Sequence, residues 1–212
     1  MRVVANLAMT VDGKIAPASG ERLRLGSAED LRRMKLLRSE VDAVVAGGNT
    51  FRHWPIPWKS DLPLINAILT RRGILNSLPE SSERWRRAQV DLQVFTWSDS
   101  VDVEPLREWG AQVFVSDNPT VLWLCETLHR QGCSTILLEG GGELLFSFLS
   151  YGLVQELFLT VTPSILGGRA SKSLVEGAGF SVLNRPELSL DGVEQHEDEL
   201  YLRYTIKRYT QP

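Results

Sequence analysis

The sequence has no long hydrophobic run and no excess of positive charge. No apolar stretch approaches the roughly 20 residues that a membrane-spanning helix needs. The net charge is −3 over 212 residues, whereas proteins that bind nucleic acid or anionic lipid usually carry a basic excess. We therefore expect no nucleic-acid partner and no membrane partner, and any bound anion must meet a local group of positive charges.

The sequence is also poor in cysteine. Cys125 and Cys133 form no CxxC pair and have no histidine at zinc-site spacing, so no metal site is expected. Two buried thiols in a reducing compartment are the simplest interpretation. The N-terminus meets Asp12 too early to supply the apolar core of a signal peptide. These features predict a cytoplasmic protein.

Short apolar segments alternate with helical patterns through most of the chain. The predicted strands are 2–8, 42–46, 64–70, 91–96, 111–115, 134–138, 154–162 and 200–207, and the predicted helices begin at Ser27, Val103, Asn118 and Gly142. This alternation indicates an α/β fold with parallel βαβ units. No long helix separates the last two strands, which predicts an antiparallel edge pair. Because no linker or repeat interrupts the chain, one domain over residues 1–212 is expected.

The segment Thr135–Leu149 places one acid and three glycines between two apolar runs. Glu139 ends a predicted strand, Gly140-Gly141-Gly142 forms a turn, and a helix follows. Free N–H groups at a helix start attract anions, and ligands of open α/β sheets bind at this end of the strands. The turn therefore suits a cofactor pyrophosphate, although it matches neither of the common phosphate-binding glycine motifs. A tight connection beside a solvated acid is the alternative.

Two other strand ends carry groups that suit a nucleotide. Gly47-Gly48-Asn49-Thr50 supplies flexible backbone, an amide and a hydroxyl, and Arg71-Arg72 follows the third strand. Arginine forks match phosphate oxygens and would suit the 2′-phosphate of NADP. An ordinary strand exit and a solvated basic turn are the alternatives.

A series of short motifs extends over most of the chain. They are Ala8 to Ala16, Ser19-Gly20-Glu21, Leu37-Arg38, Asp42-Ala43-Val44, Gly47 to Thr50, Glu139 to Gly142, Gly152-Leu153-Val154 with Glu156-Leu157, and Pro163 with Leu166-Gly167-Gly168. In this order and at these spacings the chain resembles the reductase family of riboflavin biosynthesis. The resemblance implies a dihydrofolate-reductase-like α/β fold: a mostly parallel twisted sheet with flanking helices and an antiparallel C-terminal edge.

The resemblance also implies NADPH as the cofactor. Ala8 would touch its nicotinamide end, Gly48 and Thr50 would contact it near the first glycine turn, and Arg71 would bind the adenosine-phosphate end. The helix start would wrap the pyrophosphate through Gly141, Gly142, Glu143, Leu144 and Leu145. Related reductases are dimers, so a homodimer that buries part of the late strands 154–162 and 200–207 is expected.

The implied substrate is a phosphoribosylamino pyrimidine. Arg38 would bind its phosphate, Lys14 the phosphate or ring oxygen, and Glu139 the region near the reacting sugar carbon. Glu139 and Asp12 are the candidates for moving the proton that opens the sugar ring. The implied reaction is the NADPH-dependent reduction of 5-amino-6-(5-phosphoribosylamino)uracil to the ribitylamino product.

Two segments depart from the family pattern. After Thr50 the family carries two aspartates and a proline, where this chain has Phe51-Arg52-His53-Trp54-Pro55, and residues 22–27 replace a Ser-x-Trp-Ile-Thr/Ser run. A reductase of the same fold acting on a pterin or another small carbonyl or imine compound is therefore the alternative. A non-catalytic nucleotide-binding or assembly protein is a third hypothesis, and the retained Glu139 and Arg38 argue against it.

Overall fold

The computed structural model describes residues 1–55, 57–71, 74, 85, 90–99 and 103–208. The strands are β1 (Arg2–Thr10), β2 (Lys14–Ala16), β3 (Ala43–Gly47), β4 (Ile65–Leu69), β5 (Asp91–Trp97), β6 (Gln112–Ser116), β7 (Thr135–Leu138), β8 (Glu156–Thr162), β9 (Lys172–Ser173), β10 (Glu187–His196) and β11 (Glu199–Arg208). The helices are α1 (Ala28–Arg38), α2 (Gly48–His53), α3 (Val103–Glu108), α4 (Val121–Arg130) and α5 (Gly142–Ser150). Across the described residues, none of the helices is long and apolar enough to cross a membrane.

The chain divides into two compact units. Residues 2–34 and 138–212 form the terminal unit, and residues 35–137 form the inserted unit together with Met1. One domain over residues 1–212 stays a prediction.

The inserted unit contains a parallel sheet in the order β7-β3-β4-β5-β6. The four residues Ala43–Ala46 of β3 are fully buried, which explains why this strand reads as an unbroken apolar run. The Asp42 carboxylate precedes β3 and accepts hydrogen bonds from the backbone N–H groups of Ser134 and Thr135, both at 2.8 Å. This contact fixes the start of β7 beside the start of β3.

The terminal unit contains a mixed sheet in the order β10-β11-β8-β1. β1 and β8 are parallel, whereas β8 with β11 and β11 with β10 are antiparallel pairs. The predicted antiparallel pairing of the late strands is confirmed. The predicted antiparallel C-terminal edge is confirmed too, and it contains one further strand, β10, which pairs with β11 and is the outermost strand. Its exposed apolar residues and the bulge between Leu190 and Gly192 hid this strand from the pattern.

The helix starts follow local capping chemistry. The Ser27 hydroxyl accepts from the backbone N–H groups of Glu29 and Asp30 at 3.2 and 3.4 Å, as its N-cap position predicts. The helix predicted to begin at Asn118 instead begins at Val121, because the Thr120 hydroxyl caps it by accepting from Trp123 N–H at 3.2 Å. The short helix α2 was missed, since its glycine start reads as a turn. Most of the segment 71–90, predicted to be irregular, lies outside the described residues.

Candidate active site

The turn after β1 is held by Asp12. Its Oδ1 accepts from the Thr10 hydroxyl at 2.6 Å and from Leu166 N–H at 3.1 Å, and its Oδ2 accepts from Gly167 N–H at 2.7 Å. These hydrogen bonds, that of Thr10 first, lower the pKa of Asp12 to about 2. The carboxylate is therefore ionised at neutral pH and joins the β1 turn to the loop after β8.

Lys14 lies in β2 and is half-buried. Its Nζ donates to the Ser173 hydroxyl at 3.0 Å and to the Ser171 carbonyl at 3.3 Å. Both acceptors are neutral, and no carboxylate among the described residues forms an ion pair with it. A half-buried ammonium with only neutral partners gains from an added anion.

The glycine turn between β7 and α5 brings two backbone segments close together. Gly140 has a φ of +88°, and the peptide bond from Gly140 to Gly141 is cis. A Cβ on the buried Gly142 would lie 2.5 Å from the Ser173 carbonyl oxygen, and the Gly142 carbonyl accepts from Glu176 N–H at 3.2 Å. Gly142 is therefore required for packing against segment 173–176, a reason that the sequence did not reveal.

The first turn of α5 presents backbone rather than side chains. Gly141 precedes the helix and makes no side-chain cap, so the first N–H groups have no capping side chain. Leu144 and Leu145 bury their side chains, whereas Glu143 is exposed. The two leucine side chains pack into the core, and the Leu145 N–H already donates to the Gly141 carbonyl at 3.0 Å. The half-buried Glu139 lies between β7 and this turn.

In the inserted unit, the carboxyl ends of neighbouring parallel strands carry the predicted cofactor residues. Gly48 begins α2 and is buried directly against the Thr70 side chain, so any larger residue would collide there. Thr50 is half-buried in the same helix. Arg71 follows β4 and is exposed, with its guanidinium 5.4 Å from the Trp97 ring centroid. This end of a parallel sheet is where ligands bind in open α/β folds.

The predicted site residues are divided between the terminal unit and the inserted unit. Arg38 is the last residue of α1 and only 8% exposed, and a buried guanidinium requires polar or anionic partners. The terminal unit holds Ala8, Asp12, Lys14, Glu139 and Gly141 to Leu145, and the inserted unit holds Arg38, Gly48, Thr50 and Arg71.

An aromatic group surrounds the segment that departs from the family pattern. Phe51 of α2 lies 5.4 Å from Trp85 between ring centroids, and Trp58 meets Trp85 edge-on at 6.4 Å. The Trp85 indole N–H donates to the Pro55 carbonyl at 3.0 Å. These contacts give Phe51, one of the substituted residues, a packing role, and the repeated tryptophans of the sequence, Trp54, Trp58 and Trp85, are the feature that could have shown it.

A polar network in the terminal unit was also missed. The Glu199 carboxylate accepts from Ser27 N–H at 2.8 Å, from the Ser27 hydroxyl at 2.6 Å and from the Tyr201 hydroxyl. Nearby, the Thr160 hydroxyl donates to Asp30 Oδ1 at 2.6 Å. Ser27 and Asp30 read as helix-start residues in the sequence, which concealed their second set of contacts.

Similarity to known proteins extends over nearly the whole chain. A protein of Methanothermobacter thermautotrophicus named 2,5-diamino-6-ribosylamino-4(3H)-pyrimidinone 5′-phosphate reductase is 33% identical over 215 residues, which cover 97% of this chain and 98% of that protein. A protein of the same name from Archaeoglobus fulgidus is 28% identical over 193 residues, 84% of this chain and 87% of its own.

Two solved structures bear on the fold. A pyrimidine reductase-like protein of Corynebacterium diphtheriae has a TM-score of 0.81 at 21% identity, covering 98% of this chain and 92% of that one. Dihydrofolate reductase of Enterococcus faecalis, complexed with NADP(H), has a TM-score of 0.56 at 15% identity, covering 98% and 97%. They confirm the predicted dihydrofolate-reductase-like α/β fold. The family model described as the RibD C-terminal domain matches residues 1–202, and the chain belongs to that family.

Proposed function

We propose that this protein is an NADPH-dependent reductase of riboflavin biosynthesis that converts 5-amino-6-(5-phosphoribosylamino)uracil to its ribitylamino product. The observation that carries the proposal is the similarity, over 97% of the chain, to a protein named as a reductase of such a phosphoribosylamino pyrimidine. The same similarity favours this reaction over reduction of a pterin. We further propose a cytoplasmic homodimer as the working form.

The residues present fit a dinucleotide cofactor. The N–H groups of the α5 start would bind the pyrophosphate, because no side chain caps that helix. Gly48 and Thr50 would contact the cofactor at the end of β3, and the exposed Arg71 would bind a 2′-phosphate. The half-buried Ala8 would face the nicotinamide. When bound, NADPH supplies a hydride, and the protein supplies alignment and exclusion of water.

The substrate would be held by charge. Lys14 has neutral partners and the buried Arg38 carries a fixed positive charge, so both suit a phosphate. Asp12 is poorly suited to move a proton, because its carboxylate is held ionised by three hydrogen bonds. Among the residues that the sequence singled out, Glu139 therefore remains the candidate for that step.

The names of the relatives favour a second substrate of the same class. A 2,5-diaminopyrimidinone differs from the aminouracil by an amino group in place of an oxygen at ring carbon 2. The phosphoribosylamino group, where hydride is accepted, is the same in both. Discrimination between the two would therefore depend on groups that face the pyrimidine edge, and the reduction itself would use the same residues.

A substrate panel tests the proposal. The purified protein is mixed with NADPH and with each of the two phosphoribosylamino pyrimidines, with dihydrofolate as the comparison, and the loss of NADPH absorbance is followed. We expect NADPH oxidation with at least one pyrimidine and the ribitylamino product by mass spectrometry. Oxidation with dihydrofolate alone would establish the pterin alternative instead.

A further inference from the structure

Ala8, Thr160 and Tyr201 form one row across three adjacent strands of the terminal unit. In the register of β1 with β8, Ala8 pairs with Thr160, and in the register of β8 with β11, Thr160 pairs with Tyr201. Paired residues on neighbouring strands project to the same face of a sheet, and the strands lie about 4.8 Å apart. The hydroxyls of Thr160 and Tyr201 therefore lie on the face that Ala8 presents.

Each hydroxyl of this row donates a hydrogen bond to a carboxyl group. Thr160 donates to Asp30 Oδ1 at 2.6 Å, and Tyr201 donates to Glu199. Glu199 also accepts from the backbone and side chain of Ser27 at 2.8 and 2.6 Å. The face beside Ala8 thus carries two carboxyls with different sets of partners.

The two carboxyls differ in how they are satisfied. Glu199 is 6% exposed and receives three donors, which suits a permanent negative charge. Asp30 is half-buried and receives the neutral Thr160 hydroxyl on Oδ1, while no donor among the described residues reaches Oδ2. Oδ2 lies against the backbone of Gly26, where a side chain would collide with it. The part of the half-buried Asp30 side chain that Gly26 does not cover is the part that a ligand would meet.

The pKa values of the two carboxyls also shift in opposite directions, upward for Asp30 and downward for Glu199. Burial raises the pKa of Asp30, the Thr160 hydrogen bond opposes it, and the Glu199 charge raises it again, against smaller effects of Arg24 and Arg33. Burial also acts to raise the pKa of Glu199, but the hydrogen bonds from Ser27 and Tyr201 outweigh it, so the pKa is lowered. Two carboxyls driven apart in this way are typical of an acid and its charged companion.

We propose that Asp30 is the general acid of the reaction, holding the proton that opens the sugar ring of a substrate bound beside Ala8. This inference rests on the proposed function, which sets the nicotinamide at Ala8. Glu199 is a positioning residue, because it touches Ser27 and Tyr201 and fixes the start of α1, the helix that carries Asp30. In this proposal Asp30 replaces Glu139 as the proton donor, and Glu139 keeps its predicted role in binding the substrate.

The step balances as follows. Asp30 gives its proton to the sugar ring oxygen, and the bond from that oxygen to the first sugar carbon breaks. The electron pair of the exocyclic nitrogen forms a C=N bond to the same carbon. That carbon then accepts a hydride, which the cofactor supplies when bound, to give a secondary amine. Asp30 regains a proton from water, so each turnover consumes one proton and one hydride.

The test compares Asp30→Asn with Asp191→Asn. Asp191 makes the same kind of contact, accepting from the Thr205 hydroxyl at 2.5 Å, but lies exposed in β10. We expect Asp30→Asn to lower kcat by about 10²–10⁴-fold, the usual range for general acid–base catalysis. The Kd for NADPH, measured by fluorescence, should stay unchanged in both variants. Asp191→Asn should keep the wild-type kcat.

A second variant tests the proposal with the Asp30 carboxyl still in place. Thr160→Val deletes the hydrogen bond that lowers the pKa of Asp30, so that pKa should rise. Because the protonated form is the active one, kcat falls as pH rises through the pKa of Asp30, and this fall should move to higher pH in Thr160→Val. Carbon NMR of the cofactor-free protein, assigned by comparison with Asp30→Asn, should show the Asp30 carboxyl titrating above an ordinary aspartate.

The experiments distinguish a failure of this inference from a failure of the proposed function. If wild type reduces a pyrimidine and Asp30→Asn reduces it equally well, the inference is wrong and the proposed function stands. An Asp30 carboxyl that titrates at or below the ordinary aspartate value would also overturn it. If wild type reduces neither pyrimidine, the proposed function fails and the role of Asp30 fails with it.

Discussion

At the scale of single residues, this protein uses carboxylates in two ways. Asp12 and Glu199 each accept three hydrogen bonds, and two of the three in each case join segments far apart in the chain. A carboxylate with several donors prefers to stay charged. Within the described part of the chain, Asp30 has one neutral donor, and its pKa is raised. The number of hydrogen-bond donors therefore distinguishes the carboxylates that stabilise the fold from the carboxyl that can hold a proton.

The Asp12 contacts predict a pH-dependent stability. Its pKa falls from 3.8 to about 2 on folding, so its contribution is complete above pH 4 and is lost as pH falls towards 2. Asp12→Asn should lower Tm at neutral pH, and the difference from wild type should shrink over that acid range. The exposed Asp198→Asn in the same unit is the control. A difference in Tm that persists unchanged at pH 2 would contradict this account.

Glu139 is tested by removing its charge alone. Glu139→Gln should leave the Kd for NADPH unchanged, because the α5 backbone would hold the cofactor, and should raise the KM for the pyrimidine. The exposed Glu126→Gln in α4 serves as the control. Loss of NADPH binding with turnover intact at saturating cofactor would move Glu139 to the cofactor site.

Arg71 should set the preference for NADPH over NADH. A charge-assisted hydrogen bond contributes about 1.5–3 kcal/mol, so Arg71→Ala should weaken NADPH binding by about tenfold or more and leave NADH binding unchanged. Arg107→Ala is the control, because Arg107 is exposed in the same unit and pairs with Glu104. Equal wild-type affinities for the two cofactors would show that Arg71 does not bind the 2′-phosphate.

At the scale of elements, the sequence predicted what depends on local patterns. The buried strand β3 and the capped helix α1 follow from apolar runs and from Ser27, and both are confirmed. The strand β10 was missed because it is exposed on both faces and interrupted at Asp191. The network of Asp30 and Thr160 was missed because its partners lie 130 positions apart, a spacing that no local pattern encodes.

The start of α5 offers a test at this scale. Gly142→Ala places a Cβ 2.5 Å from the Ser173 carbonyl oxygen, and such overpacking costs about 1–3 kcal/mol. We expect a lower Tm for Gly142→Ala. The control is Gly192→Ala, whose Cβ would meet only Arg203 Cβ at an ordinary 3.9 Å. An unchanged Tm for Gly142→Ala would mean that segment 173–176 moves away without cost.

At the scale of the whole molecule, β10 is the edge strand of the terminal unit, and no strand among the described residues pairs with its outer side. Leu188, Leu190 and Val193 are 40–55% exposed along it, and an exposed apolar edge favours pairing with another strand. We therefore move the predicted dimer contact from β8 and β11, which are interior strands, to β10. A second copy of the chain is the partner that the family resemblance suggests.

Light scattering tests this assembly. Wild type should show a mass twice 23.8 kDa at micromolar concentration. Val193→Lys should shift the mass towards the monomer, because it sets a charge on the paired edge. Val182→Lys, at a position 78% exposed and outside β10, should leave the dimer intact. A wild-type mass of 23.8 kDa would exclude a stable dimer.

The terminal unit is built from both ends of the chain, with the inserted unit between them. β1 lies beside β8, with Val4 paired to Glu156, so the first strand cannot gain this neighbour until the ribosome has made most of the chain. Closing so long a loop is slow relative to local pairing. During synthesis, the inserted unit can therefore fold first. The segment that bears Ala8 and Asp30 can pair with β8 only after residues 156–162 have been made. The sheet face around Ala8 should be among the last parts of the nascent protein to form.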